Sequence, residues 1–223
     1  DFSIDALAVP IYLSRNLFRD QSTEVLDPTN GLSDLRRKII RCTSPTVFRD
    51  DPARLLRGPR LAAQLGFQIT DCTSSYIRKQ AHLIKSVAPE RVRDEFIKIL
   101  ESPNSTLSIR RLDDLGILCL LMPELSQSRD VSQPKEHQWD VFNHLIETSG
   151  QVERLIPSQK KQSFHPEYCG YVDPGIHFTP TFDLIEEYFA EEVSDGYSRL
   201  TMTKLAGLLH DVGKPATRTV EES

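Results

Sequence analysis

The sequence predicts a mainly α chain, and three observations predict it. Apolar residues recur at helical spacing from residue 46 to about 125. Strand-like runs and turn chemistry are confined to residues 1–45. Helical periodicity returns over residues 126–223, with one long interruption at about 157–180 that holds four prolines and two glycines. Hydrophobic residues make up 39% and charged residues 26% of the 223 positions, a globular balance that argues against disorder or fibre. The longest apolar run, Leu115 to Met122, is too short to cross a bilayer.

The first region is mixed. Residues 8–13 and 24–26 read as short strands, and Asp27-Pro28-Thr29-Asn30-Gly31 is turn chemistry between elements. Ser33 to Lys38 reads as a short helix leading into Ile39-Ile40-Arg41. Strands this short do not make a stable sheet alone, so a preceding part of the fold is expected. The chain also opens at Asp1 without methionine and stops at Ser223 soon after a strong motif, so truncation at both ends is expected.

The second region reads as four helices. Pro52 suits a first helical position, with Leu55, Leu56, Leu61 and Leu65 following. Thr73 or Ser74 is expected to cap a helix running through His82 and Ile84. Pro89 starts a third, with Val92, Phe96, Ile97 and Leu100 on one face. Leu107, Leu112, Leu115, Leu118 and Leu121 mark a fourth, all expected in the core. Trp139 is expected in the core too, and His82 to be an ordinary helical residue.

Composition bounds the setting. Cys42, Cys72, Cys119 and Cys169 are far apart and form no CxxC, so free thiols and a cytoplasmic chain are expected. No secretion signal is visible. A net charge of −5 argues against indiscriminate nucleic-acid binding by the whole surface. It leaves room for a local basic track, and residues 36 to 60 hold eight Lys/Arg against two Asp.

That track contains an acid-arginine ladder. Asp51, Arg54, Arg57 and Arg60 recur every three residues, and residues three apart are neighbours on a helix surface. A carboxylate only accepts hydrogen bonds and a guanidinium only donates them. Cytosine and adenine each present an amino donor beside a ring-nitrogen acceptor, so one Asp-Arg pair can satisfy either. Guanine and uracil present a carbonyl beside an N–H, which mismatches both contacts at a cost of about 1–3 kcal/mol each. The later arginines suit phosphate. The plainer alternative is a helix cap at Asp51 and a solvated arginine face. Gly58-Pro59 is poor helix-interior chemistry, and a kink there would misdirect Arg60.

A second constellation combines histidine and aspartate. Leu205 to Leu209 is an apolar run ending in His210-Asp211-Val212-Gly213-Lys214-Pro215. Upstream, His137, Asp140 and His144 are spaced three and four apart, so one helix face can carry them. Imidazole and carboxylate suit divalent transition metals. His165, Cys169 and His177 offer a weaker zinc-like set with irregular spacing.

The ordered motifs carry a resemblance. Asp1-Phe2-Ser3-Ile4-Asp5-Ala6-Leu7-Ala8, then Asp27-Pro28-x-x-Gly31-x-x-Asp34-Leu35 with Ile40-Arg41, then Asp50-Asp51-Pro52-Ala53-Arg54-Leu55-Leu56-Arg57, follow one another as in a known family. Arg60 to Phe67, Pro89-Glu90-Arg91-Val92 and Met122-Pro123-Glu124-Leu125 continue the match. Together they resemble the bacterial class II tRNA nucleotidyltransferases, which include the CCA-adding enzymes and the poly(A) polymerases. The match covers residues 1 to about 125. Asp5 and Asp50 stand where the family usually has Asn and Glu.

The resemblance implies residues 1–45 as the C-terminal part of an α/β nucleotidyltransferase head, and 46–125 as a helical neck for base recognition and RNA binding. It implies transfer of C and/or A from CTP or ATP to a tRNA or other RNA 3′ end, CCA addition and polyadenylation alike. Mg²⁺ would serve that step on a DxD pair expected upstream, so no catalytic carboxylate is assigned here. Asp51 and Arg54 would read the incoming base, and Arg57 and Arg60 would lie along the nucleotide. Residues 126–223 resemble part of an HD-type metal-dependent phosphohydrolase domain, often found behind such a neck. There His144, His210 and Asp211 would hold a divalent transition metal. About 65 residues separate the two histidines, longer than usual for that family. A phosphohydrolase with a vestigial nucleotidyltransferase half is the alternative activity.

Overall fold

A single carboxylate starts the ordered structure. In the computed structural model, which describes residues 1–9, 25–132, 139–154 and 182–217, Asp27 accepts hydrogen bonds from the Gly31 and Leu32 amides at 2.6 and 3.0 Å. Those amides open helix α1 (Gly31–Arg36). A helix start leaves such donors unsatisfied, and the Asp27 side chain supplies the acceptors. The Leu32 amide is the largest influence on the Asp27 carboxyl and holds its pKa below the usual range. Gly31 is required by space, since a Cβ there would lie 2.2 Å from the Ser3 carbonyl oxygen. One helical turn on, Asp34 is buried and accepts from the Ser3 hydroxyl at 2.5 Å and from Arg41 Nε at 2.8 Å. Arg41 also donates to the Thr29 carbonyl at 2.6 Å. The Asp-Gly-Asp-Arg spacing read from the sequence is thus a clasp that fixes the first residues of the chain.

The described chain divides into two compact units, Asp1–Pro103 with Arg111–Leu121, and Asn104–Arg110 with Met122–Ser223. In the first, β1 (Ile39–Ile40) pairs in parallel with β2 (Gln68–Ile69). Between them run α2 (Val47–Asp50) and α3 (Arg54–Leu65). Among the described residues of the expected strands at 8–13 and 24–26, Ala8 and Leu26 form an isolated antiparallel bridge, and Phe2 forms another with Cys42. The rest of the expected strand at 8–13 lies outside the described residues.

Helix α3 passes through Pro59 and continues to Leu65, ending at Gly66 in the left-handed region (φ 66°). Gly58-Pro59, poor helix-interior chemistry by sequence, does not end the helix, although an interior proline costs about 3 kcal/mol in a regular one. Packing explains the pair. Both residues are buried, and a Cβ on Gly58 would come within 2.8 Å of the Phe2 ring. Phe2 is fully buried and faces Phe48, ring centroids 6.4 Å apart. Burying such a side chain stabilises by roughly 1.5–3 kcal/mol.

Helix α4 (Asp71–Gln80) is capped by Thr70, which accepts from the Thr73 amide, and not by Thr73 or Ser74 as expected. Thr73 is instead buried, and its hydroxyl accepts from the Cys42 amide. The helix stops at Gln80, and residues Ala81–Ser86 continue as a 3-10 helix. Helix α5 (Pro89–Glu101) begins on Pro89 as expected and buries Phe96, Ile97, Ile99 and Leu100. Helices α6 (Ser105–Asp114) and α7 (Leu118–Leu121) are separated by Gly116 at φ 72°. Leu112, Leu115 and Leu118 are buried, but Leu65 and Leu107, expected in the core, are 46% and 43% exposed.

The second unit contains α8 (Glu124–Gln127), α9 (Val141–Arg154), α10 (Phe182–Ala190), the hairpin β3 (Glu192–Ser194) and β4 (Tyr197–Ser198), α11 (Arg199–Leu209) and α12 (Lys214–Thr217). Its axis is the packing of α11 on α9. Gly207 allows it, since a Cβ there would sit 3.2 Å from Ser149 Cα. Glu153 on α9 accepts from the Asn104 and Ser105 amides and pairs with the buried Lys204 at 3.4 Å. No described helix is long and apolar enough to cross a membrane. Cys42, Cys72 and Cys119 are free thiols, while Cys169 and the loop at 157–180 lie outside the described residues.

Gly31→Ala is expected to destabilise the first unit by about 1–3 kcal/mol, because the added carbon meets a backbone carbonyl that cannot rotate away. Gly213 faces open space, so Gly213→Ala should leave the urea midpoint unchanged. Urea unfolding of both variants beside the parent chain measures the contrast.

Candidate nucleotide site and histidine-aspartate cluster

The ladder residues sit where the sequence places them, at the start and along one face of α3. Asp51 is extended (φ −147°, ψ 100°), and its Oδ1 accepts from the Ala53 amide at 3.2 Å. Pro52 and Ala53 form a tight turn, with the Arg54 and Leu55 amides bonding back to the Asp51 and Pro52 carbonyls. Helix α3 therefore begins at Arg54, two residues later than Pro52 suggested.

Each ladder charge has a counter-charge. Arg91 on α5 grips Asp51 through both terminal nitrogens, at 3.1 and 2.9 Å. Arg54 pairs with Asp1 through Nε and donates from Nη1 to the Val47 carbonyl at 2.9 Å. The Arg54 Nε lies against the Asp1 carboxylate without hydrogen-bond alignment. Arg57 reaches Asp1 at 3.0 Å and Asp5 at 3.7 Å. Arg60 donates to Glu95 on α5 and to Gln64, both at 2.6 Å.

The electrostatics follow from these contacts. The Arg91 hydrogen bond is the largest influence on the Asp51 carboxyl, and it holds that group below the usual carboxylate range. Partial burial acts in the opposite direction and is outweighed. Sequence reasoning located Arg91 only as a landmark and did not single out Asp1, Asp5 or Glu95 as partners. The missing signal is long-range: residue 91 lies forty positions from Asp51.

In the second unit, α9 supplies His144 and the end of α11 supplies His210 and Asp211. The two Nε2 atoms are 3.3 Å apart. Asp211 Oδ2 lies 3.5 Å from His144 Nε2 and 3.1 Å from His210 Nε2. One ligand atom from each residue falls within 4.8 Å of the others, a spacing that can hold a metal ion. His210 Nδ1 is 2.9 Å from the Gly207 carbonyl, which only accepts. Nδ1 therefore carries the proton, and in the neutral ring Nε2 presents a lone pair outward. Lys214, outside the expected set, donates to Asp211 Oδ2 at 2.6 Å. Burial is the largest influence on Asp211 and raises its pKa. Lys214, His210 and His144 together outweigh it, and the net shift is downward.

Among the described residues, Asp140 is not part of the cluster that His144, His210 and Asp211 form. Its carboxylate accepts from the Asn143 amide and side chain at 2.8 Å and from the Asp130 amide at 2.9 Å. It caps the start of α9. Trp139 is half-buried, while His137, His165, Cys169 and His177 lie outside the described residues.

Residues 66–128 match the family model described as a probable RNA and SrmB-binding site of polymerase A. Over nearly its whole length the chain is similar to tRNA nucleotidyltransferases. It is 32% identical, over 97% of its length, to an A-adding tRNA nucleotidyltransferase of Deinococcus radiodurans. It is 31% identical over the same share to a multifunctional CCA protein of Xanthomonas campestris pv. campestris. The chain spans 40% and 42% of those two relatives. Among solved structures it is similar to a CCA-adding enzyme with ATP, at 25% identity and TM-score 0.51 over 69% of this chain and 34% of that one. A tRNA nucleotidyltransferase complexed with a primer tRNA and an incoming ATP analog shares the fold, at TM-score 0.61, 19% identity and 95% and 48% coverage.

The Asp51-Arg91 pair gives a pH prediction. A depressed folded pKa contributes stability that is fully present above about pH 4, the unfolded aspartate value, and is lost as pH falls through the lower folded value. Arg91→Met should raise the Asp51 midpoint toward the ordinary range, read by carbon-detected NMR titration. An unmoved midpoint would show that Arg91 does not hold the carboxylate.

Proposed function

We propose that residues 1–125 serve template-independent nucleotide transfer to RNA 3′ ends, adding C and/or A, with the tRNA CCA end as the foremost substrate. The observation that carries this reading is the geometry of Asp51 and Arg54, one acceptor and one donor at the head of α3. A carboxylate has about four acceptor positions. Asp51 spends two on Arg91 and one on the Ala53 amide, leaving one for an incoming amino group. Arg54, steadied by Asp1 and the Val47 carbonyl, retains N–H groups for a ring nitrogen. The pair suits cytosine or adenine and mismatches guanine and uracil. Arg57 and Arg60 lie along the same face, oriented by Asp1, Asp5 and Glu95. The relatives' names support both the A-adding and the CCA-adding form of this activity. Residues 1–45 are assigned as the end of the head and 46–125 as the neck. The sequence contains no DxD pair, so Mg²⁺ is assigned no ligand here. The proposed setting is the cytoplasm.

Incorporation of labelled nucleotides by the full-length protein tests the reading. With Mg²⁺ and tRNA ending before its CCA, C and A should be added and G and U refused. Asp51→Ala and Arg54→Ala should each lose at least about tenfold in CTP and ATP use, the loss expected from one buried contact. No incorporation by the parent protein would sink the proposal.

A second reading concerns residues 126–223, assigned as part of an HD-type domain. The convergence of His144, His210 and Asp211 favours it. These three would hold a divalent transition metal through two Nε2 atoms and one carboxylate oxygen. Such a metal lowers the pKa of bound water and supplies a hydroxide for phosphoester hydrolysis. The donor set fits, with His210 already in the tautomer that ligation through Nε2 requires. His144 must carry its proton on Nδ1 to join it. Lys214 supplies a competing cation on Asp211. Titration calorimetry with Mn²⁺ should find one site, abolished in His144→Ala and in His210→Ala. Binding that survives both substitutions would remove these residues from the metal site.

A further inference from the structure

The first unit holds a cavity of about 580 Å³ that the base-reading pair does not use. Pro45, Arg49, Tyr76, Lys79, Gln80 and His82 are among the residues lining it. We propose that this cavity seats one nucleotide of a single-stranded RNA, with its phosphate on Arg49 and Lys79. The proposal rests on the reading that this chain handles RNA, and it names a place for the strand that is distinct from the incoming nucleotide.

Charge is the first argument. No residue lining the cavity is acidic, in a chain of net charge −5. The arginines of the base-reading face are neutralised, Arg54 and Arg57 by Asp1, Arg60 by Glu95 and Arg91 by Asp51. Arg49 and Lys79 are exposed and have no ion pair among the described residues. His82 adds an exposed imidazole at the same wall. Two cations can each bond one of the two non-bridging oxygens of a single phosphodiester, whereas a triphosphate carries several charges and calls for a denser set.

The second argument is a buried polar group without a partner. Gln80 is 8% exposed, and its Nε2 donates to the Pro45 and Tyr76 carbonyls at 3.1 and 3.4 Å. Those two acceptors fix the amide orientation, because reversing it would set oxygen against oxygen. The Oε1 atom is left with no hydrogen-bond partner. The Oε1 atom has almost no exposed surface, so a donor reaches it only with a movement of the Gln80 side chain, a movement that satisfying a buried acceptor would favour. A base amino group or a ribose hydroxyl offers such a donor, whereas a carboxylate only accepts. Tyr76 and the apolar remainder of the wall suit a base, which stacks on aromatic side chains regardless of sequence.

The test is fluorescence anisotropy with a labelled single-stranded oligoribonucleotide, over a range of salt. Arg49→Ala with Lys79→Ala should reduce the slope of log affinity against log salt by about 0.7, the value for one single-strand phosphate contact. Both side chains are exposed, so the double variant should fold, as circular dichroism would verify. CTP and ATP binding should be unchanged, which separates this site from the base-reading pair. An unaltered salt slope in the double variant would overturn the proposal. So would equal binding of a polyglutamate peptide, which would make the cavity a protein-docking site. A parent chain that binds CTP but not the oligoribonucleotide would overturn this inference while leaving the base-reading assignment standing.

Discussion

The orientation of the arginine face depends on a relay of contacts that begins far from it. Asp27 caps α1, and Gly31 lets the Ser3 carbonyl approach. Asp34 then holds Ser3 and Arg41 together. That clasp seats Phe2 in the core against Phe48, and Phe2 in turn fits over Gly58 on α3. The residue before Phe2 is Asp1, which pairs with Arg54 and Arg57. Exposed ion pairs contribute about 0–1 kcal/mol each, too little to explain why so many cluster here. Their effect is geometric: flexible guanidiniums are held in one orientation by carboxylates whose backbone is fixed in the core.

Much of this was legible in the sequence, and what was missed has a common cause. Pro89 at a helix start, the short helix after Gly31 and the burial of Leu55 and Leu56 follow from local chemistry. The ladder was found because three-residue spacing is local too. The identity of each counter-ion was not found, because Asp1, Arg91 and Glu95 approach α3 only through tertiary packing. The reason for Gly58 was hidden by the same cause. Read locally Gly58-Pro59 is poor helix-interior chemistry, but the Phe2 ring demands a residue without Cβ. Leu65 and Leu107 show the reverse case, apolar residues at helical spacing that remain exposed. In the second unit, His144, His210 and Asp211 were found from motif and spacing. Asp140 shared that spacing but was claimed by the amides at the start of α9, which a periodicity argument cannot see.

The two clusters of charged and polar groups solve different problems with similar parts. In the first unit carboxylates neutralise cations and leave selected hydrogen-bonding positions free. In the second, one carboxylate oxygen is shared by His144, His210 and Lys214. Gly207 governs that sharing twice. Its lack of a side chain lets α11 approach α9, and its carbonyl fixes the His210 tautomer. A Cβ at Gly207 would meet Ser149 Cα at 3.2 Å, a tight contact that asks the two helices to give by a few tenths of an ångström.

The pairing of Asp51 with Arg91 has a consequence for base choice on the proposed reading. An ionised carboxylate cannot donate, so the carbonyl of guanine or uracil finds no partner there. A protonated Asp51 could donate to that carbonyl, and the discrimination would weaken. Arg91 favours the ionised form and so keeps the position acceptor-only. Each mismatched contact then costs about 1–3 kcal/mol, roughly 5- to 150-fold in discrimination. Arg54 has no such dependence, since a guanidinium remains charged and acceptor-free at every accessible pH. Selectivity against guanine and uracil should therefore decline at low pH through Asp51 alone, and Arg91, which never meets the base in this scheme, sets how low that pH must be.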